Sequence, residues 1–387
     1  MSPIADNAEL AALCHRLSNA PFVAIDTEFL RDKTYWPLLC LVQLAGPEEA
    51  HAIDALAPGI DLAPLLELLR AADVVKVFHA ARQDVEIFFH MTGEVPSPIF
   101  DSQVAAMVCG FGDQVSYETL AGKLTGARID KSSRFTDWSR RPLTERQLGY
   151  ALADVTYLRT IYDKLSLRLA ESGRAAWLAE ELAVLRNPET YRLEPSHAWR
   201  RLKPRSSNPR FLAMLASLAA WREVEAQRRN VPRQRIVRDE VLLEVAAQAP
   251  ANVADLARCR LIPTGFAESR LGQDMLTAIA EGRDRPPPAI TEGERPSVPP
   301  GRQPLVELLK VLLKLQCETH EVAQKLVASA EDLEAIAAVD DAAVPALTGW
   351  RRAVFGDYAL ALKRGRIALT GQGGRLQLVR LKPTETT

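Results

Sequence analysis

The spacing of apolar and polar positions changes repeatedly along the first 170 residues. FVAIDTEF (22–29) and LLCLVQLA (38–45) are β-branched and aromatic runs suited to strands, and EAHAIDAL (49–56) and VVKVFH (74–79) read the same way. Elsewhere the period lengthens. PLLELLRAA (64–72) spaces its leucines along one helix face, RQDVEIFFHMTG (82–93) predicts a helix ended by glycine, and 101–124 predicts two helical pieces. TERQLGYALADVTYLRTIYDKLSLRLAESG (144–173) predicts one long amphipathic helix, with Thr144 as N-cap and Gly173 near its end. Strands that come first and then alternate with helices give an α/β domain over residues 1–190.

The rest reads as helix alone. A basic linker is expected over 191–207 and a helical domain over 208–284. RDRPPPAITEGERPSVPPGRQP (283–304) is rich in proline and poor in apolar residues, so 285–304 is expected to be an extended linker. A second helical unit of similar size follows over 305–370, and 371–387 is expected to be a frayed tail. Each helical unit carries a Trp-Arg pair, Trp221-Arg222 and Trp350-Arg351, which suggests a diverged duplication.

Composition narrows the class. A chain of 387 residues, 47% hydrophobic and 25% charged, fits a globular protein of two or three domains. No apolar run reaches the ~18 residues of a membrane span. The opening MSPIADNAELAALCHRL has early acids and no basic segment leading into an apolar one, unlike a signal peptide. Five scattered cysteines with no CxxC pair speak against a disulfide framework or a thiolate zinc site, and a cytoplasmic location is the expectation. The net charge of −1 names no partner. From Arg186 to Arg238, however, thirteen Lys or Arg stand against four Asp or Glu. That stretch suits a polyanion or a solvated helix face equally well, and Arg222, Arg228, Arg229 and Arg233 are its candidate contacts.

The chemistry resides in acids. Asp26 and Glu28, two apart on a strand, share one face at the edge of an apolar run, which is costly unless a cation or a neighbour such as Arg31 or Lys33 neutralises them. Asp84 falls in the first turn of a helix, where the helix dipole alone would favour an acid. Tyr150 and Asp154, four apart on a helix, share a face. Each signal has an ordinary structural explanation. Together they suit hard divalent cations, which take oxygen ligands. His79 and Gln43 are placed to approach substrate or to satisfy the core, and Tyr35 and Trp36 to stack a terminal base or to anchor a loop. GQGGR (371–375) lacks phosphate-loop spacing, so no ATP is expected.

The order DTE…D…YxxxD resembles the three exonuclease motifs of the DEDD superfamily, in its tyrosine subgroup. AIDTEFLRDKTYWPLLCLVQLA (24–45), KVFHAARQDVEIF (76–88) and YALADVTYL (150–158) resemble ribonuclease D, and the likeness covers most of 20–170. WREVEAQRRNVPRQRIVRDEVLLEVA (221–246) and GWRRAVFG (349–356) resemble two HRDC modules, the second more loosely. The resemblance implies an RNase H-like exonuclease domain followed by two small all-α HRDC-type domains. It implies that Asp26, Glu28 and Asp154 hold one metal, that Asp26 bridges to a second held by Asp84, and that Tyr150 positions the attacking water. Two Mg²⁺ or Mn²⁺ would then serve a 3′→5′ exoribonuclease releasing 5′-mononucleotides from RNA, especially transfer RNA precursors with 3′ extensions, in a monomeric enzyme. HAARQD lacks the asparagine many superfamily members place before the aspartate, a trait that ribonuclease D-like proteins share. A 3′→5′ DNA exonuclease and a catalytically idle nucleic-acid-binding scaffold are the rival readings; all five residue types being present weighs against the second.

Overall fold

The computed structural model describes residues 2–381 apart from 131, 205, 289–298 and 340. Most of the expected proline-rich linker therefore lies outside the described residues. The first domain comprises α1 (Asn7–Leu17), β1 (Phe22–Leu30), β2 (Leu38–Ala45), β3 (Ala50–Asp54), α2 (Ala63–Arg70), β4 (Val75–Phe78), α3 (Arg82–Thr92), β5 (Ile99–Asp101), α4 (Ser102–Val108), α5 (Tyr117–Thr125), α6 (Glu145–Glu171), α7 (Ala175–Glu181) and α8 (Ala183–Arg186). Its sheet runs β3-β2-β1-β4-β5. The first three strands form an antiparallel meander, and β4 and β5 run parallel to β1.

The period-2 alternation of β1 and β2 builds both faces of this sheet. Val23, Ile25, Val42 and Leu44 pack with Leu10, Leu13 and Leu17 of α1, Leu65 and Leu68 of α2, and Val85 and Phe88 of α3. Ala24, Ala45 and Val77 face the opposite way, against Ala105 of α4 and Val155, Leu158 and Ile161 of α6. α6 begins at a capping box in which Thr144 and Gln147 satisfy each other's backbone N–H groups, as expected of an N-cap threonine. The pattern did not single out α1 or β5. α1 carries buried Leu10, Leu13, Cys14 and Leu17 at helical spacing in a segment read only for a leader peptide, and β5 is three residues long, too short to show a period.

The first helical unit contains α9 (Pro209–Arg229), α10 (Arg233–Ile236), α11 (Asp239–Gln248), α12 (Val253–Arg258) and α13 (Arg270–Asp284). The span 191–207 is more than a linker, because Trp199 and Leu202 join this unit's core. The second unit contains α14 (Gln303–Thr319), α15 (Gln324–Val327), α16 (Ala330–Ala338) and α17 (Gly349–Arg351), which a π turn (Arg352–Gly356) continues into α18 (Asp357–Lys363). A long helix, a single turn and a medium helix open both units in the same order. The Trp-Arg pairs do not mark equivalent positions, since Trp221 lies in the first helix of its unit and Trp350 near the start of the last helix of the other.

The tail is not frayed from residue 371, and the C-terminal part is not helix alone. β6 (Ile367–Gln372) and β7 (Arg375–Arg380) form an antiparallel hairpin. Gly373 and Gly374 both have positive φ at its two-residue turn, the conformation a tight hairpin demands, so GQGGR is turn chemistry.

Both helical units dock on the first domain. The loop after β1 meets α9 and the turn that follows it: the N–H groups of Tyr35 and Trp36 donate to Asn230 Oδ1 at 3.1 and 3.0 Å, and the Tyr35 hydroxyl meets Glu223, Gln227 and Arg233. The second unit sits on the far end of α4 and on α7. Trp177 stacks on Trp350 with ring centroids 4.3 Å apart, Arg351 pairs with Glu180 and Glu181, and Arg174 donates to the His320 and Glu321 carbonyls. Gly110 permits this contact: its φ is +79°, and a Cβ there would stand 2.6 Å from the Glu321 carbonyl oxygen.

Candidate active site

β1 pairs with β4 only through Phe22–Ala24, and with β2 as far as Leu30. Its second half therefore runs on past the carboxyl end of β4, where open α/β sheets offer a crevice. Asp26 and Glu28 stand on that half, and a bulge follows Glu28, a device that re-aims side chains beside active sites. α6 crosses the same face and delivers Asp154. Ligand oxygens of Asp26, Glu28 and Asp154 lie within 4.8 Å of one another. Asp84 reaches the site from the other side, from the buried first turn of α3, where the Thr27 hydroxyl donates to its Oδ1. Asp101 holds the preceding turn: its carboxylate accepts the N–H groups of Ala80 and Ala81 at 3.0 and 2.9 Å and also caps α4. Ala80 has φ +58°, so strained backbone sits next to the site.

The four acids repel one another, Asp84 buried and Asp26, Glu28 and Asp154 half-buried at the cavity wall. Burial, then the charge of Asp154, raises Asp26 well above the carboxylate range. Burial and the charges of Asp26, Asp154 and Asp84 push Glu28 up to about 10. Asp84 is raised by burial and by Asp26. Asp154 is raised by burial to about 7, with Tyr150 and the Arg134 charge pulling the other way. The Tyr150 hydroxyl is raised by burial and by the charges of Asp154, Glu28 and Asp26. Arg31, a candidate counter-ion in the sequence, pairs with Glu86 at 2.8 Å instead. An all-oxygen set of converging carboxylates, with no ion pair to a Lys or Arg among the described residues, fits divalent metal ions. Asp26, Glu28 and Asp154 line a cavity of about 640 Å³ together with Tyr150, His79, Gln83, Tyr117, Arg134 and Phe135.

Several substrate contacts expected from the sequence are placed differently. Gln43 is directly opposite Asp26 but is fully buried, out of substrate's reach. The Tyr35 hydroxyl is engaged by Glu223 and Arg233, and Trp36 packs its ring on His90 at 4.3 Å, so both anchor the loop and neither faces the cavity. Arg222 is buried and binds Asp239 at 2.6 Å and the Val237 carbonyl. Arg233 is paired with Glu223, while Arg228 and Arg229 share Glu225 and keep part of their surface exposed. His79 does line the cavity, with Nδ1 2.8 Å from the Ser102 hydroxyl, and burial lowers its pKa. Thr27, Asp101 and the Arg134–Arg141 loop were not singled out from the sequence. Among them only Phe135 and Trp138, two aromatics in the polar run KSSRFTDWSRR, carry a visible signal.

Fold and site together define a metal-dependent nuclease core carrying helical modules, and comparison with known proteins agrees. The 3′→5′ exonuclease family model matches residues 1–170, and the HRDC domain model matches 211–279. Ribonuclease D of Granulibacter bethesdensis is 53% identical over 383 residues, 97% of this chain and 96% of that protein. Ribonuclease D of Gluconacetobacter diazotrophicus is 54% identical over 377 residues, covering 97% and 96%. The crystal structure of Escherichia coli RNase D, described as an exoribonuclease involved in structured RNA processing, superposes with a TM-score of 0.77 at 30% identity, covering 94% of this chain and 99% of that one. The chain belongs to the ribonuclease D family and is a 3′→5′ exoribonuclease.

Proposed function

We infer that the enzyme trims 3′ extensions from structured RNAs, transfer RNA precursors foremost, and works as a cytoplasmic monomer using two Mg²⁺ or Mn²⁺ ions. The observation that carries the catalytic reading is the convergence of Asp26, Glu28 and Asp154 within 4.8 Å, with Asp84 close enough to feel the charge of Asp26. Asp26, Glu28 and Asp154 would hold one ion, with Asp26 also reaching the second, and Asp84 would hold that second ion through water. When bound, such ions supply an activated water and stabilise the leaving oxygen of the phosphodiester. Tyr150 lines the cavity beside Asp154, and its hydroxyl stays protonated at neutral pH, suited to orient the attacking water. Tyr117 lines the same cavity, and burial with the charges of Asp154 and Asp26 raises its hydroxyl too, so it stays neutral.

The helical units supply reach for a folded substrate. The part-exposed Arg228 and Arg229, and the exposed Arg200 and Arg210 of the basic stretch, offer phosphate contacts. The second unit acts as a further HRDC-like module, a reading supported by its matching helix order and by its docking on the first domain. Five unpaired, buried cysteines suit a reducing compartment. The test is cleavage of a 3′-tailed RNA hairpin and its DNA equivalent with Mg²⁺ or Mn²⁺. Stepwise loss of the RNA tail with a stall near the stem is expected. Equal or faster loss of the DNA tail would favour a DNA exonuclease instead.

A further inference from the structure

The loop that lines the carboxylate cavity through Arg134 and Phe135 has a fixed base and an exposed tip. At the base, Trp138 is buried and Arg141 is bound to the Asp54 carboxylate and to the Cys40 carbonyl at 2.9 Å. At the tip, Phe135 is 92% exposed, more than any other large hydrophobic side chain among the described residues. Single apolar side chains in water are common on protein surfaces. This one differs in its location, because Phe135 and its neighbour Arg134 both line the cavity that contains Asp26, Glu28, Tyr150 and Asp154. Arg134 is also exposed, has no carboxylate partner among the described residues, and stands with its guanidinium carbon 5.2 Å from the centre of the Phe135 ring. Its charge reaches the reacting groups, lowering both Asp154 and Tyr150.

We propose that Phe135 and Arg134 clamp the 3′ end of the RNA, Phe135 stacking on the base of one of the last two nucleotides and Arg134 contacting a phosphate beside it. The clamp rests on the exoribonuclease reading of the carboxylate site and adds to it the residues that hold substrate there. Single-strand binders combine an aromatic platform with a cation that tracks the backbone, and stacking tolerates any base because every base has a π face. An exonuclease that removes one nucleotide after another needs such tolerance. The two aromatics that the sequence offered for this task, Tyr35 and Trp36, are committed to the contact with α9 and to His90. Phe135 is the exposed ring that remains at the cavity. The chain arrangement also suits a clamp: the strapped base keeps the tip at the cavity, and the exposed tip leaves both side chains accessible to a strand.

The test uses the full-length chain with Mg²⁺ and a hairpin RNA bearing a single-stranded 3′ tail, either intact or abasic at one of its last three nucleotides. Phe135→Ala is expected to raise KM on intact RNA roughly 5- to 150-fold, the range that loss of one base stack produces, with a smaller change in kcat. With the abasic site at the stacked nucleotide, wild type and Phe135→Ala should become alike, and Phe135→Trp should restore KM on intact RNA. Arg134→Ala should flatten the slope of log KM against log salt by about 0.7, the share of one phosphate contact on a single strand. Equal loss on intact RNA and on all three abasic substrates, or no loss at all, overturns the clamp. A wild-type chain that leaves RNA uncut would remove the exoribonuclease reading itself, and the clamp with it.

Discussion

Asp26 is half-buried, feels the charge of Asp154, and raises both Glu28 and Asp84 by its own charge. Asn at this position keeps the shape and removes one of the repelling charges. Asp26→Asn is therefore expected to melt at a higher temperature than wild type in EDTA, while exonuclease activity falls by about 10³-fold or more as a metal ligand is lost. A lower melting temperature in EDTA would show that the acid is satisfied by the fold and not by a metal. The pH dependence follows from the same shifts. A carboxyl whose folded pKa lies above its unfolded value binds more protons when folded, so its contribution is full below about pH 4 and is lost as pH rises through the folded pKa. For Asp154 that value is about 7. Metal-free protein should lose stability between about pH 4 and 7 relative to Asp154→Asn, and saturating Mg²⁺ should close the gap, as scanning calorimetry would record. At this scale the sequence was informative. The spacing of Asp26, Glu28, Tyr150 and Asp154 placed them on shared faces, and all four line one cavity. It could not show that Arg31 turns away to Glu86, because that depends on where α3 lies.

The loop from Ile129 to Leu143 is an element with no periodicity, and Arg141 is its main polar anchor. Arg141 forms a bidentate pair with Asp54 through Nε at 2.6 Å and Nη2 at 2.5 Å, and donates to the Trp138 carbonyl at 2.7 Å. Trp138 in turn stacks with Tyr150, ring centroids 6.1 Å apart. Loss of Arg141 leaves a largely buried Asp54 carboxylate unpaired. Arg141→Met is expected to cost about 3 kcal/mol in chemical denaturation and to lower kcat by loosening the support of Tyr150. Arg141→Lys should recover little, because an ammonium cannot make the two parallel bonds of a guanidinium. Full recovery by lysine would reduce the role to simple charge. The long elements were legible in advance. α6 begins one residue after its anticipated cap, and β1 and β2 match their apolar runs. The Asp54–Arg141 contact spans 87 residues, and no local pattern encodes it.

Across the whole molecule, two surfaces dock the helical units on the first domain. Glu223 is nearly fully buried and is shared between Arg233 of its own unit and the Tyr35 hydroxyl of the first domain. Tyr35→Phe removes the hydroxyl's share of the contact between domains and keeps the backbone bonds to Asn230, at about 1 kcal/mol, whereas Glu223→Ala also strands Arg233 and should cost about 3 kcal/mol. Both variants are expected to slow trimming of a tailed hairpin while sparing a short unstructured oligonucleotide, Glu223→Ala the more. On the opposite side, Trp177→Ala removes the stack on Trp350. It should loosen the second helical unit, seen as a larger radius of gyration by small-angle scattering. An unchanged radius would show that Arg351 and Arg174 hold that unit alone.

The sequence by itself determined what depends on short range. Apolar periods defined strands and helices, alternation put Asp26 and Glu28 on one side of β1, and the order of acids carried the resemblance to an exonuclease family. Tertiary structure decided what depends on partners far along the chain. It set which arginines are spent on Glu223, Glu225 and Asp239 and which, like Arg134, remain without a carboxylate among the described residues. It also turned Tyr35 from a candidate stacking platform into an interdomain anchor and left Phe135 at the cavity in its place. The physical reason is that a side chain's availability is set by the nearest competing partner, and nearness in space between residues 35 and 223 or 54 and 141 exists only after the chain has folded.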